Sequence, residues 1–106
     1  MQRDVIFREG ERSLTAELCA EIDHHTARRI REKIDAELFL RKPEVLTLDF
    51  SCVSFMDSSG LGLILGRCSV AEGIGASVRV AGASDQLMRL IRLSGLERIK
   101  NLSVVK

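Results

Sequence analysis

Between residues 14 and 38 the hydrophobic period of this chain changes once, from two to helical, and the change falls on a single aspartate. Leu14, Ala16, Leu18, Ala20 and Ile22 alternate with Thr15, Glu17, Cys19 and Glu21, the pattern of a strand with one buried face. Asp23 follows directly and stands where a helix N-cap belongs. Ala27, Ile30, Ile34 and Leu38 then recur at helical spacing. A strand that runs without a linker into an amphipathic helix calls for layers of sheet and helix.

The rest of the chain extends that reading. Val5 to Arg8 forms a hairpin with the strand Ser13 to Ile22 across the polar turn Glu9-Gly10-Glu11. The first helix spans about His24 to Leu40 and is stopped by Pro43, which cannot continue the ladder and pushes Lys42 out of the helical region. Glu44 to Phe50 is the candidate central strand. After Asp57-Ser58-Ser59-Gly60 the period becomes helical again, with Leu61, Ile64, Leu65, Cys68 and Ala71 on one face, and Gly73 and Gly75 end that helix. Ser77 to Ala81 is a strand. Ser84 caps a third helix through Leu93, buried by Leu87, Leu90 and Ile91 and terminated by Gly95, and Ile99 to Val105 is a last strand. The order ββαβαβαβ predicts an α/β fold, a mixed β-sheet with helices packed on it.

Composition narrows the function. A single domain over residues 1–106 is expected, and 45% apolar with 29% charged residues is a globular balance. The formal charge is +1 and the aromatics are four scattered Phe, so neither the field nor the stacking platform of a nucleic-acid binder is present. Cys19, Cys52 and Cys68 are odd in number and set in apolar patterns, which predicts buried free thiols in a reducing cytoplasm. No apolar run suits a signal peptide or a membrane span. A free-standing monomer in the cytoplasm is the expectation.

The Asp57-Ser58-Ser59-Gly60 segment joins the end of a strand to the start of a helix, where ligands and partners meet open α/β folds. One reading is purely structural: Asp57 or Ser58 caps the helix and Gly60 eases the turn. The other makes it a docking surface. Projection at about 100° per residue sets Leu63 and Val70 opposite the core stripe, flanked by Gly62, Gly66 and Arg67, unless a loop covers them.

Residues Asp49-Phe50 to Arg67, with Ser54-Phe55-Met56-Asp57-Ser58-Ser59-Gly60-Leu61-Gly62-Leu63-Ile64-Leu65-Gly66-Arg67 as their core, resemble the signature of the anti-sigma factor antagonists, the STAS-domain anti-anti-sigma factors. Ala20-Glu21-Ile22-Asp23-His24-His25-Thr26-Ala27 resembles a second family motif, with Ala20 in place of the usual Gly, and Ser94-Gly95-Leu96 a third. The resemblance implies a STAS-like fold and no catalysis by this chain. It implies phosphorylation of Ser58 by an anti-sigma factor that is also a serine kinase, which supplies the ATP, and reversal by a serine phosphatase. The unphosphorylated form would sequester the kinase and free a sigma factor. Asp23, His24, Asp57, Ser58, Ser59, Gly60, Leu61, Gly62, Leu63, Gly66 and Arg67 would meet the partner, with Asp23 equally a helix cap. Asp23-His24-His25 and Phe55-Met56-Asp57 resemble the sporulation-specific branch most closely.

Other chemistries find less support. His24 and His25 are adjacent, point to different sides of a helix and lack further ligands for a metal. Met56-Asp57-Ser58-Ser59-Gly60 is not a Gly-x-Ser-x-Gly nucleophile elbow. Gly60, Gly62 and Gly66 miss the dinucleotide spacing. A STAS module of a transporter or of another signalling assembly is the remaining alternative.

Overall fold

A computed structural model describes residues 4–105. Of the expected domain 1–106, residues 1–3 and 106 lie outside the described residues. The elements are β1 (Val5–Gly10), β2 (Ser13–Leu18), α1 (His24–Arg41), β3 (Val45–Asp49), α2 (Ser58–Gly73), β4 (Ser77–Ala81), α3 (Asp85–Ser94), a 3-10 turn (Leu96–Arg98) and β5 (Leu102–Val104). The strands lie in the sheet in chain order, β1-β2-β3-β4-β5. β1 is antiparallel to β2 and every later pairing is parallel, so the sheet is mixed and the helices are the crossovers between parallel strands.

Only one face of the sheet is fully covered. Leu14, Ala16 and Leu18, Leu46 and Leu48, Val78 and Val80 point into it, and Ile30, Ile34 and Leu38 of α1, Ile64 and Ala71 of α2 and Leu87 and Ile91 of α3 join them in one cluster. Thr15, Thr47 and Arg79 alternate onto the opposite face.

Several boundaries differ from expectation, each for a local reason. β1 runs on to Gly10 and the turn sits at Glu11–Arg12, with Arg12 in the left-handed region at φ 62°. β2 stops at Leu18 rather than Ile22: the Cys19 amide still donates to the Asp4 carbonyl at 2.8 Å, the last rung of the pairing with β1, and beyond it the chain leaves the sheet. The C-terminal strand is only Leu102–Val104, since a further turn follows the 3-10 turn, with the Leu102 amide donating to the Ile99 carbonyl at 3.2 Å. In α3 Met88 is buried and Leu90 only half-buried. Of the three cysteines Cys68 alone is buried, and burial pushes its thiol up to about 11; Cys19 is half-buried and Cys52, in the turn after β3, is exposed.

Other features agree with the reading above. Asp23 caps α1, Lys42 ends it at φ 47° just before Pro43, and Gly95 closes α3 at φ 81°. Among the described residues no helix is long and apolar enough to cross a membrane.

The largest correction concerns α2. Its buried residues are Gly60, Leu63, Ile64, Arg67, Cys68 and Ala71, so the inward sector is turned by about 70° from the expected stripe at 100° per residue. Leu63 is 3% exposed and Leu65 51% exposed, the reverse of the expected docking strip, and Val70 is half-buried. The cause is that α2 packs on two neighbours, the sheet below and α1 beside it. No loop is needed to cover Leu63.

Arg67 marks that second contact. Its Nε lies 2.8 Å from Asp35 Oδ1 of α1, off the line of a hydrogen bond, while Nη2 donates to Oδ2 at 3.2 Å and Nη1 has no partner among the described residues. Burial raises the Asp35 carboxyl and lowers the Arg67 guanidinium, each opposed by the other's charge. Such a pair sets helix register more than it adds net stability. Asp35→Leu alone is expected to cost about 3 kcal/mol by leaving a buried guanidinium unpaired, and Asp35→Leu with Arg67→Met to recover most of that. Urea unfolding of the two single variants and the double variant tests this.

Candidate functional site

Two hydrogen bonds outside the named strands bring the site together. The Ile22 amide donates to the Phe55 carbonyl at 2.9 Å and the Asp57 amide to the Ile22 carbonyl at 3.1 Å, a parallel bridge between Ile22 and Met56. The residue after each bridge partner is an N-cap aspartate, so α1 and α2 start side by side, His24 beside Ser58.

Both aspartates cap their helices, Asp23 with the fuller set of bonds. Asp23 Oδ1 accepts from the His25 and Thr26 amides at 2.8 and 2.9 Å, and Thr26 Oγ1 accepts from the Asp23 amide at 2.9 Å, completing a capping box. Asp57 Oδ1 accepts from the Ser59 amide at 2.7 Å. The cap of α2 is thus Asp57, which leaves Ser58 as the first helical residue, exposed and with its hydroxyl in no intramolecular hydrogen bond among the described residues. Neither helix has an acidic residue in its first turn.

Outward from Ser58 runs a stripe of Ser58, Gly62, Leu65 and Ser69, each exposed, with Leu61 and Gly66 half-buried at its margins. Phe55, 50% exposed, precedes the turn and lines a second groove with Leu87, Leu90 and Leu93 of α3. Of the four glycines of this helix Gly73 is its last residue, and the other three differ in kind. A Cβ at Gly60 would collide with the Met56 side chain, whereas at Gly62 and Gly66 it would meet nothing within 4 Å. Packing requires the first glycine only. The other two weaken the helix with no return inside the monomer, and they leave its backbone bare toward solvent.

Beside the stripe, a groove of about 450 Å³ separates the two helix starts, lined by His24, Ala27, Arg28 and Arg31 of α1 and Ser59, Gly62 and Leu63 of α2. Arg28 and Arg31 did not stand out in the sequence, where they belong to an ordinary polar helix face. Only the bridge brings them to one groove with Ser59 and Gly62.

Of the residues expected to meet a partner, Asp23, His24, Asp57, Ser58, Ser59 and Gly62 gather around this groove and turn, with Leu61 and Gly66 at the edge. Gly60, Leu63 and Arg67 are buried and belong to packing. Among the described residues no group of three His, Cys, Asp or Glu is placed to hold a metal ion.

The Thr26 amide, and the His25 amide after it, hold the Asp23 carboxyl below the usual carboxylate range against a smaller desolvation effect. A carboxyl lowered on folding stabilises the fold at pH values above its unfolded pKa, and that contribution disappears as pH falls through the folded value. Between about pH 5 and pH 2 the parent should therefore lose more stability than Asp23→Asn, whose amide caps without titrating; denaturant midpoints across that range check it. Gly62→Ala is expected to raise stability by about 0.5–1 kcal/mol, read from the urea midpoint.

A family profile described as STAS domain matches residues 5–104. The chain is 37% identical over 86 residues to the anti-sigma F factor antagonist of Paenibacillus polymyxa, covering 81% of this chain and 74% of that protein. Among solved structures it matches the anti-sigma factor antagonist SpoIIAA in its unphosphorylated form, with a TM-score of 0.80 and 28% identity over 96% of this chain and 88% of that one. The Bacillus cell fate determinant SpoIIAA in the phosphorylated form matches with a TM-score of 0.72 and 28% identity, covering 96% of this chain and 91% of that one.

Proposed function

The chain belongs to the STAS family, among the anti-sigma factor antagonists, and from that premise we propose that it binds an anti-sigma factor through the stripe and turn around Ser58 and is released when Ser58 is phosphorylated. The observation that carries the reading is the state of Ser58: first residue of α2, exposed, unbonded, and bordered by Gly62 and Gly66 where a partner can approach the helix backbone. The partner is at once anti-sigma factor and serine kinase, holding the ATP, and a serine phosphatase restores the binding form. This chain acts by binding and does no chemistry of its own. We place the exchange in the cytoplasm and in the sporulation branch, supported by Asp23-His24-His25, by Phe55-Met56-Asp57 and by the sigma F assignment of the Paenibacillus relative.

Physical chemistry favours such a switch. A phosphate carries about −1.5 to −2 charges, and at the start of a helix it meets free amides and the positive end of the dipole, so the fold accepts it. The cost falls on the complex, where an anion with its hydration shell is pressed into a packed interface. Existence of the SpoIIAA fold in both phosphorylated and unphosphorylated forms supports release without refolding.

Incubation with the cognate anti-sigma factor and ATP should place a single phosphate on Ser58 by mass spectrometry; phosphate on Ser59, or none, would overturn the assignment. Phosphorylated protein should bind that partner at least about 30-fold more weakly by calorimetry, roughly 2 kcal/mol, with an unchanged far-ultraviolet spectrum. Equal affinity would overturn the switch.

A further inference from the structure

The groove between the helix starts has a use that partner binding leaves unexplained. We propose that a phosphate on Ser58, one turn before Gly62 at the edge of the groove, is held in cis by Arg28, with Arg31 and His24 around it, so that modification closes the groove from its edge. The inference rests on the reading that Ser58 is phosphorylated, and it says what the phosphate does next.

Three observations converge on it. The Ile22–Met56 bridge starts the two helices in register, which puts His24 beside Ser58 and Arg28, one turn on, beside Gly62. Gly62 offers no side chain there, and the groove it lines is open to the Arg28 and Arg31 side chains. Finally, those cations are weakly committed. Arg28 faces Glu32 at 3.7 Å with both side chains well exposed, an arrangement worth little, and Arg31, whose charge acts on Asp35 and on Arg67, makes no contact at ion-pair distance among the described residues. A long side chain on a helix leans toward the N-terminus without strain, and that direction carries the Arg28 guanidinium from Glu32 toward Ser58.

The charged and titratable groups of the groove beside Ser58 are His24, Arg28 and Arg31 of α1, with Glu32 facing Arg28 and the Asp35–Arg67 pair acting on Arg31, and the two caps, Asp23 and Asp57, whose Oδ1 atoms are engaged with backbone amides. A phosphate has the oxygens for a paired contact with a guanidinium. Held across Gly62, it occupies the bare stretch of helix that the partner needs. Release of the partner then comes from occlusion as well as charge.

The test uses full-length protein with phosphoserine installed at position 58 during synthesis, so that no kinase is involved. Titration of the phosphorus-31 signal should give a second phosphate pKa lower by about 0.5 unit or more in the parent than in Arg28→Ala, with the gap shrinking in about 1 M salt. Arg79→Ala removes the same charge from the far face of the sheet and should leave the titration in place. Arg28 is exposed and outside the core, so its variant keeps the fold, which circular dichroism verifies. An Arg28→Ala shift no larger than that of Arg79→Ala would overturn the capture. The switch fails on a different result, equal affinity of the phosphoserine protein and the unmodified protein for the anti-sigma factor, which leaves the titration to decide the capture by itself.

Discussion

The functional face depends on the pair of backbone hydrogen bonds joining Ile22 to Phe55 and Asp57. β2 and β3 have already separated at that point, and nothing in the regular sheet obliges the segments after them to meet again. The bridge closes them. Because Ile22 and Met56 are themselves buried, it is shielded from water and anchored by the core. Two helix starts, two aspartate caps and the serine between them follow from it as a unit.

α2 divides its labour by face. Gly60, Leu63, Ile64, Arg67 and Ala71 serve packing, and the Asp35–Arg67 pair fixes how α2 lies along α1. Ser58, Gly62, Leu65 and Ser69 serve the surface. In its interior Gly62 and Gly66 have space around them that a methyl group could fill, so helix stability has been set aside there in favour of a bare backbone. Stability and recognition are thus held by different residues of one helix, and a change in one need not disturb the other.

Much of this was legible in the sequence, for physical reasons. Asp23 is readable as a cap because the period changes at it, Pro43 as a stop because it lacks an amide, and Ser77–Ala81 as a strand because Gly75 and Gly82 bound it. The rotation of α2 was not legible. A periodicity argument assumes one buried side, and Leu61, Ile64, Leu65 and Cys68 make a convincing stripe until α1 is set beside the helix. Arg67 and Asp35 held the missing signal, each a charge next to an apolar inward position, but a lone charge in a helix reads as solvated. The exposure of Cys52 and the groove that Arg28 shares with Ser59 and Gly62 were equally hidden, since both depend on where a loop turns rather than on local pattern.

The sheet order carries a further consequence, for how the chain assembles. Strands occupy the sheet in the order in which they are made, so each new one pairs with the one before it and none has to be inserted between two already in place. During synthesis the layer grows in one direction, each crossover helix covering the strands on either side of it as soon as the second arrives. Contacts stay as near along the chain as parallel pairing permits, which favours prompt folding for a domain built on crossovers. The growing edge is open only until β5, a strand of three residues, is laid down last and leaves little ladder for another chain to join.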